Sequence, residues 1–149
     1  MLIKSAHWIR RVYYFIVRPV TLGVRILLID EGQVILVKHS YQDAWFLPGG
    51  GVKRGESLDQ AIRRESAEEC GATLHEVQFI GTFANFVEYK SDHVSLFLSE
   101  DFTLQEKRDH EIEMVSTFPF EQLPANTSPG SRRKIAAYIN GSLESTGVW

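Results

Sequence analysis

Three carboxylates stand close together in the middle of the chain. Glu65, Glu68 and Glu69 are spaced at i, i+3 and i+4, so a helix would place all three on one face. Three anions within a few ångströms repel one another unless a cation lies among them. Oxygen ligands of this kind suit a hard divalent ion such as Mg²⁺. The spacing therefore predicts a metal site on one side of a helix.

The ends of that helix are also marked in the sequence. Ser57 followed three residues later by Gln60 is typical of a capping box, and Gly71 is a candidate C-cap. The positions expected to face the core are Leu58, Ala61 and Ile62. Because the acidic cluster lies roughly opposite these positions, we expect core packing to present the carboxylates to solvent.

The residues around the helix add what a metal site needs besides carboxylates. Residues 48–51 read Pro-Gly-Gly-Gly, a stretch whose bare backbone is able to approach an ion or a phosphate closely. Glu56 precedes the helix on the side of this loop. Arg64 lies four residues before Glu68, where its planar guanidinium is well placed to orient a carboxylate.

Taken together, these residues resemble the signature box of the Nudix hydrolases. Gly50 is followed after five residues by Glu56, and after seven more by the run Arg64-Glu65-Ser66-Ala67-Glu68-Glu69-Cys70-Gly71-Ala72. The departure is Ser66, where the family has an aliphatic residue. We expect its hydroxyl to bond back to the Ile62 carbonyl.

The resemblance implies a fold, a cofactor and a set of site residues. The fold is an α/β/α sandwich with a mixed sheet between helices. Mg²⁺ is the expected cofactor, with Mn²⁺ as an alternative. The implied metal ligands are Gly49 through its carbonyl, Glu65, Glu68, Glu69 and Glu111. Glu111 matches a family glutamate that precedes an isoleucine in a later strand, although Thr117 stands where tryptophan is usual.

The catalytic roles implied by the resemblance fall to three residues. Glu65 is the predicted general base, Arg64 orients it, and Glu56 supports it through water or direct coordination. Family members differ over which glutamate is the base. The predicted reaction is hydrolysis of a nucleoside diphosphate linked to another group, such as a nucleotide sugar or a dinucleotide. The alternatives are a nucleoside triphosphate or RNA-end pyrophosphohydrolase, and a binding module with a Nudix fold and no turnover.

Length, net charge and cysteine content limit the number of domains and the kinds of partner to expect. The chain has 149 residues and a formal net charge of −3, so we expect one domain and no general attraction to nucleic acid. Cys70 is the single cysteine, which fits a reducing cytoplasm, and we expect it to pack on the underside of the helix. The expected assembly is a monomer or a homodimer.

Residues 1–19 differ from the rest of the chain in their charge and in the spacing of their apolar residues. They combine aromatic and aliphatic residues at helical spacing with Lys4, Arg10, Arg11 and Arg18, which predicts a basic amphipathic helix. Two interpretations remain open: contact with a membrane surface or a partner, and packing on the domain's own core or a dimer interface. Aromatic residues at this spacing favour packing.

Residues 20–149 are expected to form a single Nudix domain. The apolar runs and turn signals predict strands over 21–30, 33–39, 45–47, 72–85, 93–99 and 111–118, with a hairpin at Glu31-Gly32. A short helical turn is predicted over 120–123 and a last helix over 131–140.

Overall fold

The computed structural model describes residues 9, 12–13, 15–87, 89–105 and 112–149. Its strands are β1 (Val20–Asp30), β2 (Gln33–His39), β3 (Trp45–Phe46), β4 (Ala72–Val87), β5 (Lys90–Leu104), β6 (Ile112–Pro119) and β7 (Thr146–Val148). The helices that follow β1 are α1 (Leu58–Cys70) and α2 (Pro129–Ile139), with a 3-10 turn at Phe120–Gln122.

The strands form one mixed sheet. Its order is β3-β2-β1-β5-β4-β7, and β6 pairs with β2 beside this path. The pairs β1–β5 and β4–β7 are parallel, whereas β1–β2, β2–β3, β2–β6 and β4–β5 are antiparallel. Because β1 lies between β2 and β5, both of its edges are paired and it forms the centre of the sheet.

The core is divided by the sheet into two apolar clusters. Alternate residues of β1 supply both, because successive side chains of a strand point to opposite faces. Val24 and Ile26 pack in the cluster that contains Ile62 of α1, whereas Leu27 packs in the cluster that contains Ile135 of α2. The two helices therefore cover opposite faces, which confirms the predicted mixed sheet between helices.

Local signals for the hairpin and for α1 are also confirmed. Glu31 and Gly32 connect β1 to β2 with φ of 45° and 78°, the left-handed conformation of a two-residue hairpin turn. At α1, the Ser57 side chain accepts from the Gln60 N–H and the Gln60 side chain accepts from the Ser57 N–H. Gly71 ends the helix with φ of 65°.

The last part of the chain differs from its prediction. Helix α2 begins at Pro129 rather than at residue 131, because Ser128 is its N-cap and proline is accepted in the first helical turn. Strand β7 was not predicted, since three residues are too few to show a period. It pairs with residues 82–84 of β4. Strands β4 and β5 extend to residues 87 and 90, beyond the predicted limits.

The residues before β1 also differ from the favoured interpretation. Residues 9, 12, 13 and 15–17 have helical backbone, and their side chains are exposed. The expected packing against the domain's own core is therefore wrong for these positions, whereas packing at a dimer interface stays a prediction. Among the described residues, no helix is both long enough and apolar enough to cross a membrane.

The contact between β4 and the segment before β7 leads to a prediction about stability. A Cβ on Gly81 would lie 1.9 Å from the Ser145 carbonyl oxygen, so Gly81→Ala must push this segment away. We expect a loss of about 1–3 kcal/mol in the free energy of unfolding, measured by urea denaturation. The control is Gly51→Ala, whose new Cβ meets no atom within 4 Å. An equal loss in the two variants would contradict the packing described here.

Candidate active site

The guanidinium of Arg64 gathers three carboxylates. Its Nε and Nη2 donate to the two oxygens of Glu56, at 2.6 and 2.9 Å. Its Nη1 donates to Glu65 Oε1 at 2.6 Å and to Glu68 Oε2 at 3.1 Å. Nη2 also donates to the Gly51 carbonyl oxygen at 3.0 Å. One planar cation thus connects the helix, the loop before it and the glycine-rich stretch.

Glu56 reaches this cation because the loop before α1 folds back on itself. The Lys53 N–H donates to Glu56 Oε2 at 2.9 Å, and the Glu56 N–H donates to the Lys53 carbonyl at 3.1 Å. The hydrogen bonds from Arg64, and then that from Lys53, lower the pKa of Glu56 to about 2. Hydrogen bonds to the three carboxylates, with that to Glu56 as the largest effect, raise the pKa of Arg64 in turn, so its guanidinium stays charged across the physiological range.

The glycine-rich stretch lies along β1 as a short additional strand. The Val24 N–H donates to the Gly50 carbonyl at 2.9 Å and the Ile26 N–H donates to the Pro48 carbonyl at 3.0 Å. A Cβ on Gly50 would lie 2.6 Å from Glu65 Oε1, so a side chain at this position would displace the carboxylate. Glycine is therefore required to let Glu65 lie directly against the loop.

Glu69 faces the interior, and the prediction that all three helix carboxylates face solvent is wrong for it. Glu69 lies seven residues after the buried Ile62, two helical turns along the same face. Its Oε2 accepts from the Gly49 N–H at 2.8 Å, which compensates part of the burial. Burial raises the pKa of Glu69 to about 7, against the opposing effects of the Arg25 charge and the Gly49 N–H.

Arg25 and His39 belong to the same neighbourhood, although neither is among the predicted site residues. Arg25 Nη1 donates to the carbonyl oxygens of Leu47 and Gly49, both at 2.8 Å. The Gly49 oxygen, a predicted metal ligand, thus accepts a hydrogen bond from the protein itself. The signal available in the sequence was a single basic residue within an apolar strand, which normally requires a partner inside the fold.

His39 is buried beside Glu69. Its Nε2 lies 3.8 Å from Glu69 Oε1, and its ring stacks on Tyr41 with centroids 5.2 Å apart. Its Nδ1 is buried and has no hydrogen-bond partner among the described residues. Burial, and then the charge of Arg25, lowers the pKa of His39. The imidazole is therefore held mainly in its neutral form.

Two further expectations concern the inner side of α1. Cys70 is buried as predicted, and this burial raises the pKa of its thiol far above the usual value. The Ser66 hydroxyl is buried too, but its predicted bond to the Ile62 carbonyl is not made. It has no hydrogen-bond partner in the part of the chain that the structure describes.

The predicted metal ligands do not surround a common point. Among the side chains that the structure describes, no three of the His, Cys, Asp or Glu type form a group arranged to hold a metal ion. Instead Glu65 and Glu68 share Arg64 Nη1, and Glu69 bonds to the backbone of the loop. Glu111 lies outside the described residues. The roles assigned to these residues stay predictions.

The chemistry of the donor set nevertheless fits a divalent ion. All of the predicted ligands are oxygens, as Mg²⁺ and Mn²⁺ prefer. Glu65 and Glu68 each use one oxygen to accept from Arg64. Within the described ranges, no hydrogen bond to the second oxygen of either carboxylate is present, so both remain available to a cation.

Comparison with known proteins identifies the family. A family model described as the NUDIX domain matches residues 19–138. The chain belongs to the Nudix family. The fold agrees with this: a Nudix hydrolase from Nitrosomonas europaea superposes with a TM-score of 0.73 at 19% identity, covering 84% of this chain and 92% of the other. A MutT Nudix hydrolase from Burkholderia pseudomallei superposes with a TM-score of 0.70 at 20% identity, covering 78% and 96%.

The curated relatives are more similar over a shorter stretch. A protein named RNA pyrophosphohydrolase from Vibrio cholerae is 41% identical over 61 residues, which are 41% of this chain and 36% of the relative. One of the same name from Acinetobacter baylyi is 38% identical over 68 residues, 46% and 41% of the two chains. This Nudix chain thus spans well under half the length of these relatives.

The Arg64 cluster leads to a prediction about titration. Lysine offers one charged nitrogen in place of a planar fork, so Arg64→Lys should raise the pKa of Glu56 from about 2 toward its ordinary value. Because this pKa is depressed in the folded state, its contribution to stability is present above the unfolded value and is lost as pH falls toward 2. Carbon NMR of the glutamate carboxyls, with chelator present, measures the shift.

The matched control is Arg63→Lys. Arg63 is the neighbouring residue on α1 and pairs with Asp59 rather than with Glu56. It should leave the Glu56 titration unchanged. A Glu56 pKa that stays near 2 in Arg64→Lys would show that Arg64 does not hold this carboxylate.

Proposed function

We propose that this chain is a divalent-metal-dependent pyrophosphohydrolase that cleaves a phosphoric anhydride bond. The observation that carries the proposal is the Arg64 cluster in a Nudix fold: one guanidinium fixes Glu56, Glu65 and Glu68 beside a loop with no side chains. Four acidic side chains around one glycine-rich loop repel one another, which lowers the stability of a folded domain. They become useful where cations and an anionic diphosphate occupy the same site.

Glu65, Glu68 and Glu69 are the residues that would hold Mg²⁺ or Mn²⁺, with the Gly49 carbonyl and Glu111 as further candidates. When bound, the ion neutralises phosphate charge and makes a coordinated water more acidic. Glu68 is the most accessible of the three, with its side chain 41% exposed against 13% for Glu65. We therefore assign Glu68 to the outer side of the site and Glu69 to its inner wall.

The chain's own residues supply positioning and proton transfer. Glu65 is our candidate base: its Oε2, the oxygen that Arg64 leaves unoccupied, would accept the proton of the attacking water whenever it is not itself bound to the metal ion. Arg64 keeps the carboxylate of Glu65 in one orientation, and Glu56 keeps Arg64 in place through two hydrogen bonds. The missing side chain of Gly50 leaves room for Glu65 against the loop.

The first test substitutes Glu68. Glu68→Gln keeps the shape of the side chain and removes its charge, so we expect turnover to fall by about 10²–10³-fold with the fold intact. Affinity for Mn²⁺, measured by electron paramagnetic resonance, should fall as well. Turnover is followed by phosphate or nucleotide release, and folding by circular dichroism.

Asp59→Asn is the control for this variant. Asp59 lies on the same helix, is exposed and pairs with Arg63 on another face. It should bind Mn²⁺ and turn over substrate as the unmodified protein does. Equal turnover in Glu68→Gln and Asp59→Asn would reject the site. Tight nucleotide binding by the unmodified protein, with no turnover at saturating metal, would favour the binding module.

Two substrate classes remain in competition. The net charge of −3 favours a small nucleoside diphosphate derivative, because extended RNA is usually bound by a basic surface. The relatives named RNA pyrophosphohydrolase favour the 5′ end of RNA, over the part of the chain that they match. We propose the small nucleotide derivative and keep the RNA end as the second candidate.

A direct comparison separates the two classes. The protein is assayed with Mg²⁺ against nucleotide sugars, dinucleotides, nucleoside triphosphates and a 5′-triphosphorylated oligoribonucleotide, with products identified by mass. We expect the highest kcat/KM for a nucleoside diphosphate linked to another group. Preference for the oligoribonucleotide, together with a steep loss of binding as salt increases, would transfer the assignment to RNA ends.

A further inference from the structure

A continuous apolar surface lies where the chain enters the sheet. Its most exposed members are Ile16 (73%), Val20 (76%) and Phe86 (72%). Val17 and Tyr89 extend it, at 49% and 53% exposure. Apolar side chains scattered singly over a surface are ordinary, whereas a cluster of this size marks an interaction site. We call these five residues the entry surface.

The register of the strands places two members of the entry surface on one face of the sheet. Val20 of β1 and Phe86 of β4 are both opposite Ser91 of β5, one on each side, so all three side chains point to the same face of the sheet. The helical residues join the same region, because the ring of Phe15 meets the ring of Tyr89 edge to face with centroids 5.2 Å apart.

The charge of this end of the chain is opposite to that of the rest. Residues 1–19 contain four of the 16 Lys and Arg residues and none of the 19 Asp and Glu residues. Arg18 is exposed between the helical residues and Val20. Asp92 follows Ser91 in β5 but points to the other face, where it accepts from the Thr21 hydroxyl at 2.6 Å. The sequence of residues 1–19 is thus basic, whereas the chain as a whole is acidic.

We propose that the entry surface docks this protein onto a lipid bilayer with anionic headgroups. Exposed aliphatic and aromatic side chains enter the boundary between headgroups and acyl chains, and Arg18, exposed between Val17 and Val20, pairs with the headgroup phosphates. Each part alone binds weakly, and the combination of an apolar face and positive charge gives stable but reversible attachment.

A second copy of the chain is the competing occupant, and charge argues against it. A twofold interface brings the same surface of both molecules together. Arg18, which lies between Val17 and Val20, would then approach its counterpart in the second copy and repel it, and the sequence of residues 1–19 contains no acidic residue to compensate. An anionic bilayer is complementary to both features, because its acyl chains accept the exposed apolar side chains and its headgroups attract the positive charge.

Docking in this way would hold the candidate active site near the membrane. The Val24 N–H donates to the Gly50 carbonyl, so Gly50 lies beside β1 four residues along the strand from Val20. Four residues of strand span about 13 Å. Gly50 is therefore about that distance along the strand from the docked Val20.

The test measures binding of the full chain to vesicles. Vesicles of equal parts phosphatidylglycerol and phosphatidylcholine should sediment the protein, and vesicles of phosphatidylcholine alone should sediment much less. The double variant Ile16→Ser with Val20→Ser should lower the partition coefficient by about tenfold or more. Arg18→Asn, which removes the charge and tolerates the left-handed backbone at φ 45°, should weaken binding to the anionic vesicles alone.

The control removes two exposed aliphatic side chains far from the entry surface. Ile139→Ser with Leu104→Ser removes an isoleucine and a leucine that are 49% and 52% exposed, at α2 and at the opposite end of β5 from Ser91. It should leave vesicle binding unchanged. The proposal is overturned if the unmodified protein does not bind anionic vesicles or if both double variants bind equally. It is also overturned if sedimentation equilibrium shows a dimer that Ile16→Ser with Val20→Ser dissociates.

Discussion

The site depends on the balance between clustered carboxylates and one guanidinium. Glu56, Glu65 and Glu68 would repel one another at these separations, and Arg64 compensates with three nitrogens that donate in one plane. Lysine has the same charge but cannot reach three partners from one rigid fork. The arrangement is thus a property of the guanidinium's shape as much as of its charge, and it fixes each carboxylate before any ligand arrives.

The central strand connects this cluster to the fold. The glycine-rich loop pairs with β1 through Val24 and Ile26, and the side chains of the same two residues pack in the core under α1. Arg25, between them, donates to the carbonyls of the loop from the other side. One strand therefore positions the loop through its backbone and the helix through its side chains. A shift in core packing would move both halves of the site together.

Glu69 illustrates how burial changes the chemistry of a carboxylate. Its neighbours Glu65 and Glu68 accept hydrogen bonds from Arg64, whereas Glu69 is buried and has a pKa raised to about 7. Carboxylates on one helix thus lie in two different environments, one buried and one hydrogen-bonded to a guanidinium. This is a common feature of sites that use carboxylates in different roles. A cation that binds Glu69 has to displace a proton and replace the lost hydration.

The sequence alone determined the features that depend on short-range spacing. The capping box of α1, the Glu31-Gly32 turn and the Nudix box are all written within a few residues, so local geometry suffices to predict them. The mixed sheet between helices followed from the family resemblance and was confirmed. The tertiary structure decided what depends on partners far along the chain. It brought Arg25 to the Gly49 carbonyl, paired β7 with β4 and left the described helical residues before β1 exposed. None of these is encoded in a period or a motif, because each results from which surfaces meet once the sheet has formed. The inward position of Glu69, in contrast, follows from the helical period that it shares with Ile62.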